Sequence, residues 1–180
     1  MYPFLRLAHQ LVRARGLPPL GLRDVHVSQH RCWPWDLDGF MEMNNGRTLT
    51  LYDLGRFGAG VRMGLSGVLR EKRWGLAVAG TSVRYRKRVT AFQRIEMRTR
   101  VVGWDARFVY IVQDMWVAGT CCSQALLRTA VVAGGRAVPT SEVLAAMGED
   151  ATPPELPEWV AAWIEAEATR PWPPERPAAA

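Results

Sequence analysis

The stretch Trp35-Asp-Leu-Asp-Gly-Phe-Met-Glu-Met-Asn-Asn-Gly-Arg47 is the densest polar cluster in the chain, with Asp36, Asp38 and Glu42 followed at once by Asn44 and Asn45. Directly after it, Leu51, Leu54, Val61 and Leu65 recur at helical offsets and predict a helix over residues 47–65. Carboxylates therefore stand just before a helix N-terminus, where backbone N–H groups lack partners and carry partial positive charge. Two readings of that arrangement are open. The acids and Asn44 can simply cap the helix. Alternatively, the N–H groups hold a developing oxyanion while a carboxylate attacks a carbonyl or activates water, which are the parts acyl transfer needs. The helix is poor by propensity, because it contains Gly55, Gly58, Gly60 and Gly64. Packing must hold it, with another backbone lying close against the glycines.

Upstream, residues 24–33 read as a strand that Trp33, Pro34 and Trp35 end. Downstream of the helix the period changes to two. Over residues 78–89, Arg84, Arg86 and Arg88 alternate with Val83, Tyr85 and Lys87. Over residues 94–102, Arg94, Glu96, Arg98 and Arg100 alternate with Ile95, Met97, Thr99 and Val101, the pattern of a half-buried strand. Residues 103–106 give a turn. Residues 108–117 and 121–132 are apolar on both faces and belong in the middle of a sheet, and Gly134 and Gly135 close the last strand. Short connections imply antiparallel neighbours. A lone glycine-rich helix must be covered by that sheet. The expected fold class is α+β: a hotdog fold, with a curved antiparallel sheet wrapped around one long central helix and helices added at both ends.

In residues 1–21, Phe4, Leu7, Ala8, Leu11 and Val12 fall at helical spacing, with Arg6, Arg13 and Arg15 between them and no acid among residues 1–16. An amphipathic helix packed on its own domain is expected there. A membrane-surface helix and an organellar presequence are the other readings. Arg6, His9 and Gln10 interrupt the apolar stretch too early for a secretory signal. Gly16, Pro18 and Pro19 then break the chain. Residues 22–139 make the hotdog domain. Within 140–180, residues 141–147 read as a short helix capped by Thr140 or Ser141. Residues 148–157 are a linker rich in proline and acid, and 156–168 a second helix carrying Trp159 and Trp163. Residues 170–180, rich in proline and alanine, are expected to be disordered.

A chain of 180 residues, 48% hydrophobic and 22% charged, has room for one ordinary globular core. It has no run of about 18 apolar residues that would suggest a transmembrane helix. The net charge of +6 favours anionic partners without choosing among them. Cys32, Cys121 and Cys122 form no CxxC pair, and a reduced, cytoplasmic setting fits them. His26 and His30 share a strand face with no further ligand in register, so no metal is expected. Ser66, Ser82 and Ser123 lie in no nucleophile elbow, and no glycine-rich phosphate loop is present. The tryptophans are scattered, so no nucleic-acid partner is expected.

The stretch from Asp38 through Asn45 to Gly46-Arg47 resembles the D-x-x-G-H-V-N-N-x-R-Y signature of hotdog acyl-CoA thioesterases of the 4-hydroxybenzoyl-CoA thioesterase type. It is closest to thioesterase-superfamily members reading D-x-D-x-x-x-H-M-N-N-x-R-Y. The similarity continues through Tyr85-Arg86-Lys87-Arg88, residues 95–102 and Gly134-Gly135-Arg136-Ala137-Val138-Pro139, and so spans residues 24–139. The resemblance implies that Asp38 is the catalytic carboxylate, that the Asn45 N–H helps hold the thioester carbonyl, and that Asn44 shapes the same turn. It places Asp53 where many members carry an acid inside the central helix. Three positions depart from the family: its glycine is Met41, its histidine is Glu42, and the tyrosine after the arginine is Thr48. Glu42 removes a proton-shuttle role from that position and points to a different substrate preference.

Asp36 is the natural rival of Asp38 and reads as a solvated or turn-forming acid. Arg84, Arg86 and Arg88, with Lys87, can hold coenzyme A phosphates at the rim or keep a strand edge soluble. The expected function is hydrolysis of acyl-CoA or acyl-carrier thioesters without any cofactor. The resemblance further implies a homodimer or homotetramer with sites between subunits. The alternatives are a non-catalytic or weakly active acyl-thioester-binding hotdog protein and a membrane-associated scaffold.

Overall fold

The computed structural model describes residues 2–176. A helix α1 (Phe4–Arg15) leads into β1 (His26–Arg31), and after a 3-10 turn at Pro34–Asp36 comes the central helix α2 (Asn45–Arg62). Then follow α3 (Leu65–Lys72), β2 (Gly75–Tyr85), β3 (Arg94–Trp104), β4 (Val109–Val117), β5 (Thr120–Ala133), the two-residue β6 (Arg136–Ala137), α4 (Thr140–Met147) and α5 (Glu158–Ala168). The long strands form one antiparallel sheet in the order β1-β3-β4-β5-β2, with β6 added on β5. The sheet curls around α2. This is the hotdog fold, and β4 and β5, apolar on both faces, stand inside the sheet as expected.

The core forms where α2 meets the sheet. Leu51, Tyr52 and Leu54 are fully buried against Ile95, Met97 and Met115, and each such aliphatic side chain contributes roughly 1.5–3 kcal/mol. The glycines let α2 sink into the sheet. A Cβ on Gly55 would lie 2.5 Å from Met97 Sδ and 3.1 Å from Gln113 Nε2, and one on Gly58 would lie 2.7 Å from His26 Nε2. Side chains of the sheet, rather than the expected backbone, therefore occupy the space that α2 leaves.

Several local expectations are corrected. The helix expected over 47–65 is two helices, broken at Gly64 with φ of 80°, and Leu65 belongs to α3. The strand expected to reach residue 89 ends at Tyr85. The N–H groups of Arg86 and Lys87 both turn to the Cys122 carbonyl, so Arg86 and Arg88 lie beyond the strand. Gly103 and Trp104 belong to β3, not a turn, through a bulge after Val101. Helix α4 begins after Pro139 with no side-chain cap, and Thr140 is its first residue.

In α1 the buried residues are Gln10 and Ala14, whereas Phe4, Leu5 and Val12 face solvent. Residues 148–157 have no helix or strand but are pinned to the sheet. Trp104 Nε1 donates to the Ala151 carbonyl at 3.2 Å, and Leu156 covers Gly103. With Val160 and Trp163 of α5 they cover Tyr110, Val112 and Leu126 on the sheet face turned away from α2. Residues 170–176 carry no helix or strand, and 177–180 lie outside the described residues.

Candidate active site

Asp36 anchors the loop before α2. It accepts from Arg6 Nη1 at 3.0 and 2.8 Å, pairs with Arg47 Nε at 3.1 Å and accepts from the Trp33 N–H at 2.9 Å. Its carbonyl takes the Asn44 N–H. At 1% exposure it is turn-forming but not the solvated acid expected. Burying a carboxylate is costly without compensation, and guanidiniums from α1 and from the first turn of α2 supply it here.

Asp38 opens a tight hairpin. Its N–H donates to the Glu42 carbonyl at 2.8 Å and its carbonyl accepts from Met41 N–H at 3.1 Å, while Leu37 and Met43 pair as an isolated bridge. A three-residue hairpin turn of this kind needs a left-handed residue at its end, for which glycine is preferred. Met41 stands there with φ of 58°, and it is the position where the resembled signature has glycine. The Asp38 Oδ1 accepts from the Phe40 N–H at 2.9 Å, stiffening the turn. The hairpin is local, which is why the motif was readable.

Asn44 caps α2: its Oδ1 accepts from the Gly46 N–H at 2.9 Å and the Arg47 N–H at 3.4 Å, and its carbonyl takes the Thr48 N–H. The capping reading therefore holds for Asn44 and not for the acids. The cap leaves the Asn45 N–H, at the head of α2, without an acceptor among the described residues. That N–H belongs to a residue on the wall of a cavity of about 350 Å³, shared with Glu42, Thr48, Tyr85, Ser123 and the Arg86–Arg88 turn. The turn is fastened to β5 by the two bonds to the Cys122 carbonyl, and Arg88 Nε lies 3.5 Å from Glu42 Oε2.

The structure thus brings together Glu42, Asn45, Arg86 and Arg88. Asp38 is close in sequence but is not on this wall, and its Oδ2 takes no hydrogen bond among the described residues. Arg84 lies on β2, exposed and away from the cavity. Asp53 faces a different cavity, of about 460 Å³, between α2 and the sheet. There it pairs with Arg56, whose Nη1 also donates to Gln113 Oε1 at 2.8 Å. Apart from this pair and the hydroxyls of Ser66, Thr99 and Thr129 the lining is apolar, including Met63, Leu69, Val101, Ile111 and Leu144.

Sequence reasoning missed this cavity, and it missed Arg47, Thr48 and Ser123. Ser123 is joined at 2.8 Å to the fully buried Tyr52 hydroxyl, whose acidity burial suppresses. An arginine in the first turn of a helix, where cations are unfavourable, was the available signal for Arg47.

The model of the thioesterase-like superfamily matches residues 32–164. Protein THEM6 of Xenopus laevis is 29% identical over 163 residues, covering 90% of this chain and 78% of that protein. Among solved structures, the probable thioesterase YbaW of Escherichia coli superposes with a TM-score of 0.62 at 15% identity, over 68% of this chain and 98% of that one. The Staphylococcus aureus protein SAV2348, solved in complex with CoA, superposes with a TM-score of 0.62 at 12% identity, over 89% of this chain and 99% of that one. At these identities the two superpositions show a shared fold.

Proposed function

The chain belongs to the thioesterase-like superfamily, and from that premise we propose that it hydrolyses acyl-CoA-type thioesters at the N-terminus of α2. The observation that carries this reading is the meeting of Asn45, whose N–H has no acceptor among the described residues, with the Arg86–Arg88 turn on one cavity. A carbonyl oxygen against that N–H gains an oriented donor as it becomes an oxyanion. Arg86, Lys87 and Arg88 supply positive charge at the mouth of the same cavity, where a phosphorylated carrier would be held, and the CoA complex of SAV2348 supports coenzyme A as that carrier.

In this reading Asp38 supplies the carboxylate. It attacks the carbonyl or takes a proton from the water that does. Where water attacks, the C–O bond to water forms as the C–S bond breaks, and the proton passed through Asp38 ends on the leaving thiolate. Where Asp38 attacks, the thiolate leaves from a mixed anhydride, whose acyl–oxygen bond water then cleaves to give the carboxylic acid and free Asp38. Glu42 also lines the cavity, where its carboxylate faces Arg88. The acyl group extends into the aliphatic cavity beside Asp53 and Arg56. A second copy of the chain completes the site in this proposal. Support comes from β2, which among the described residues pairs with β5 alone and has no strand on its other edge, with Leu76 and Val78 half exposed.

Hydrolysis of a panel of acyl-CoA thioesters, followed by release of free thiol, tests the proposal. Turnover faster than in buffer is expected for at least one chain. Saturable binding without thiol release would instead leave an acyl-thioester-binding protein.

A further inference from the structure

We propose that the outward face of α1 docks this protein on the surface of an anionic lipid bilayer. The inner face of the helix is fully used. Arg6 holds Asp36 and the Arg31 carbonyl, Gln10 Nε2 donates to the Gln29 carbonyl at 3.0 Å, and Ala14 is buried. These contacts set the rotation of the helix and turn a second apolar stripe away from the protein. Phe4, Leu5 and Val12 are 70%, 88% and 66% exposed, and with Ala8 they fall within an arc of about 100° on a helix of 3.6 residues per turn, which the exposed Arg15 enters at the last turn.

Phe4 leans on Tyr2 with ring centroids 5.2 Å apart, while Leu5 and Val12 simply face solvent. Alanine or a polar residue would serve the inner contacts equally well. The stripe continues beyond the helix in Leu17, which is half exposed. At the other end, the Arg6–Asp36 pair places the first turn beside residue 36, and its neighbour Trp35 is 68% exposed and stacked on Trp33. An exposed tryptophan is the side chain most suited to the headgroup region.

Charge selects the occupant. Arg13 and Arg15 are exposed in the last turn, His9 is exposed at the side of the stripe, and the helix contains no acidic residue. A second copy docked by the same face would set Arg13 and Arg15 against like charge with no carboxylate of the helix to answer them. Anionic headgroups answer them directly, and each arginine near such a surface adds about fivefold to partition. Strong amphipathicity, low net hydrophobicity and a basic flank are the features of a helix lying in the bilayer interface. The inference does not depend on the thioesterase reading.

The full-length protein is mixed with vesicles of phosphatidylcholine alone or with phosphatidylglycerol, and floated through a density gradient. Wild type should float with the anionic vesicles and far less with the neutral ones. Leu5→Asp with Val12→Asp should lower partition by about tenfold or more, and Arg13→Gln with Arg15→Gln by about fivefold for each charge removed. All positions are exposed, so an unchanged helical signal and melting curve should accompany the loss. The proposal is overturned if wild type stays at the bottom with anionic vesicles, or if the Leu5→Asp and Val12→Asp chain floats as wild type does. It is equally overturned if those substitutions lower the mass in solution without changing flotation, since the stripe then meets a second copy.

Discussion

A single nitrogen of Arg6, Nη1, reaches both carboxylate oxygens of Asp36, at 3.0 and 2.8 Å, and so ties α1 to the loop two residues ahead of Asp38. Arg47 approaches the same carboxylate from α2 at 3.1 Å. Asp36 is therefore a hub between the N-terminal helix, the hairpin and the head of the central helix. Asp36→Ala leaves two guanidiniums facing each other and should cost about 3–5 kcal/mol, as removal of one partner from a buried pair does. Arg6→Ala leaves Arg47 in place and should cost about 1.5–3 kcal/mol. Urea denaturation measures both. A loss below about 1 kcal/mol for Asp36→Ala would mean that the carboxylate is hydrated and the hub does not exist.

Met41 holds a backbone conformation that L side chains adopt at a cost of roughly 1–2 kcal/mol, and its side chain is exposed. Met41→Gly relieves that cost but gives back some entropy to the unfolded chain. The net expectation is stabilisation by about 0.5–1 kcal/mol, read as a rise in melting temperature. Destabilisation would show that the exposed Met41 side chain has contacts beyond this chain.

Much of this site was readable because its turns are local. The Asn44 cap and the helix start each depend on residues within a few positions and were read as such, whereas the equally local hairpin at Asp38–Glu42 was not. Asp36 was rightly read as turn-forming, but its burial was not legible for the opposite reason: its partner Arg6 is 30 residues away. The basic alternation through Arg84, Arg86 and Arg88 looked like a continuing strand because all of these side chains are exposed. The turn is made by backbone N–H groups, which side-chain pattern does not report. The rotation of α1 could not be read either, since its apolar residues cover more of the helix than the protein buries. The aliphatic cavity draws its walls from helices and strands across the whole chain, so no window of sequence contains it.

Acid should weaken the fold through two histidines of β1. Burial, and then Arg62, pulls His26 down to about 4; burial, and then Arg6, pulls His30 down to about 3. Arg62 Nη1 lies 3.1 Å from His26 Nδ1. Arginine can only donate, so Nδ1 is the acceptor and the neutral ring carries its hydrogen on Nε2. A proton on Nδ1 would face the guanidinium. In the unfolded chain both rings titrate near 6.5. The unfolded state thus binds more protons between the two values. Stability is complete above about pH 6.5 and falls as pH drops toward about 4, by on the order of 2 kcal/mol for His26 between pH 7 and pH 5. Denaturation midpoints across that range should show the slope, and His26→Asn should remove about half of it, the rest staying with His30. A flat profile in wild type would mean that water reaches the ring.

If the acyl group enters the 460 Å³ cavity, chain length should be felt strongly. Each methylene added inside it should raise kcat/KM about threefold or more, from about 0.8 kcal/mol of burial per group. The rise should stop when the cavity is full. Ala59 is buried on the cavity wall, and Ala59→Leu should move the optimum to shorter chains while leaving the shortest substrates little changed. An optimum unmoved by Ala59→Leu would place the acyl group elsewhere.

The decisive substitution is Asp38→Asn. It keeps the side chain's shape and can still accept from the Phe40 N–H through its amide oxygen, so the turn should survive. It removes the charge needed to attack a carbonyl or to accept a proton. If Asp38 is the nucleophile or base, kcat should fall by about 10²–10⁴, with KM little changed because the residue still occupies the same space. Glu42→Gln is the comparison, since Glu42 lines the cavity that contains Asn45. Its loss should stay below about tenfold, or roughly 1.4 kcal/mol of barrier. Asp36 is unsuitable as a control, because its removal breaks the hub and would lower activity through folding. Both variants must melt as wild type does before their rates are compared. If Glu42→Gln abolishes turnover while Asp38→Asn retains it, the reacting carboxylate is the one on the cavity wall, and Asp38 serves only the turn. If neither matters while thiol release persists, the hydrolytic site is not at the head of α2.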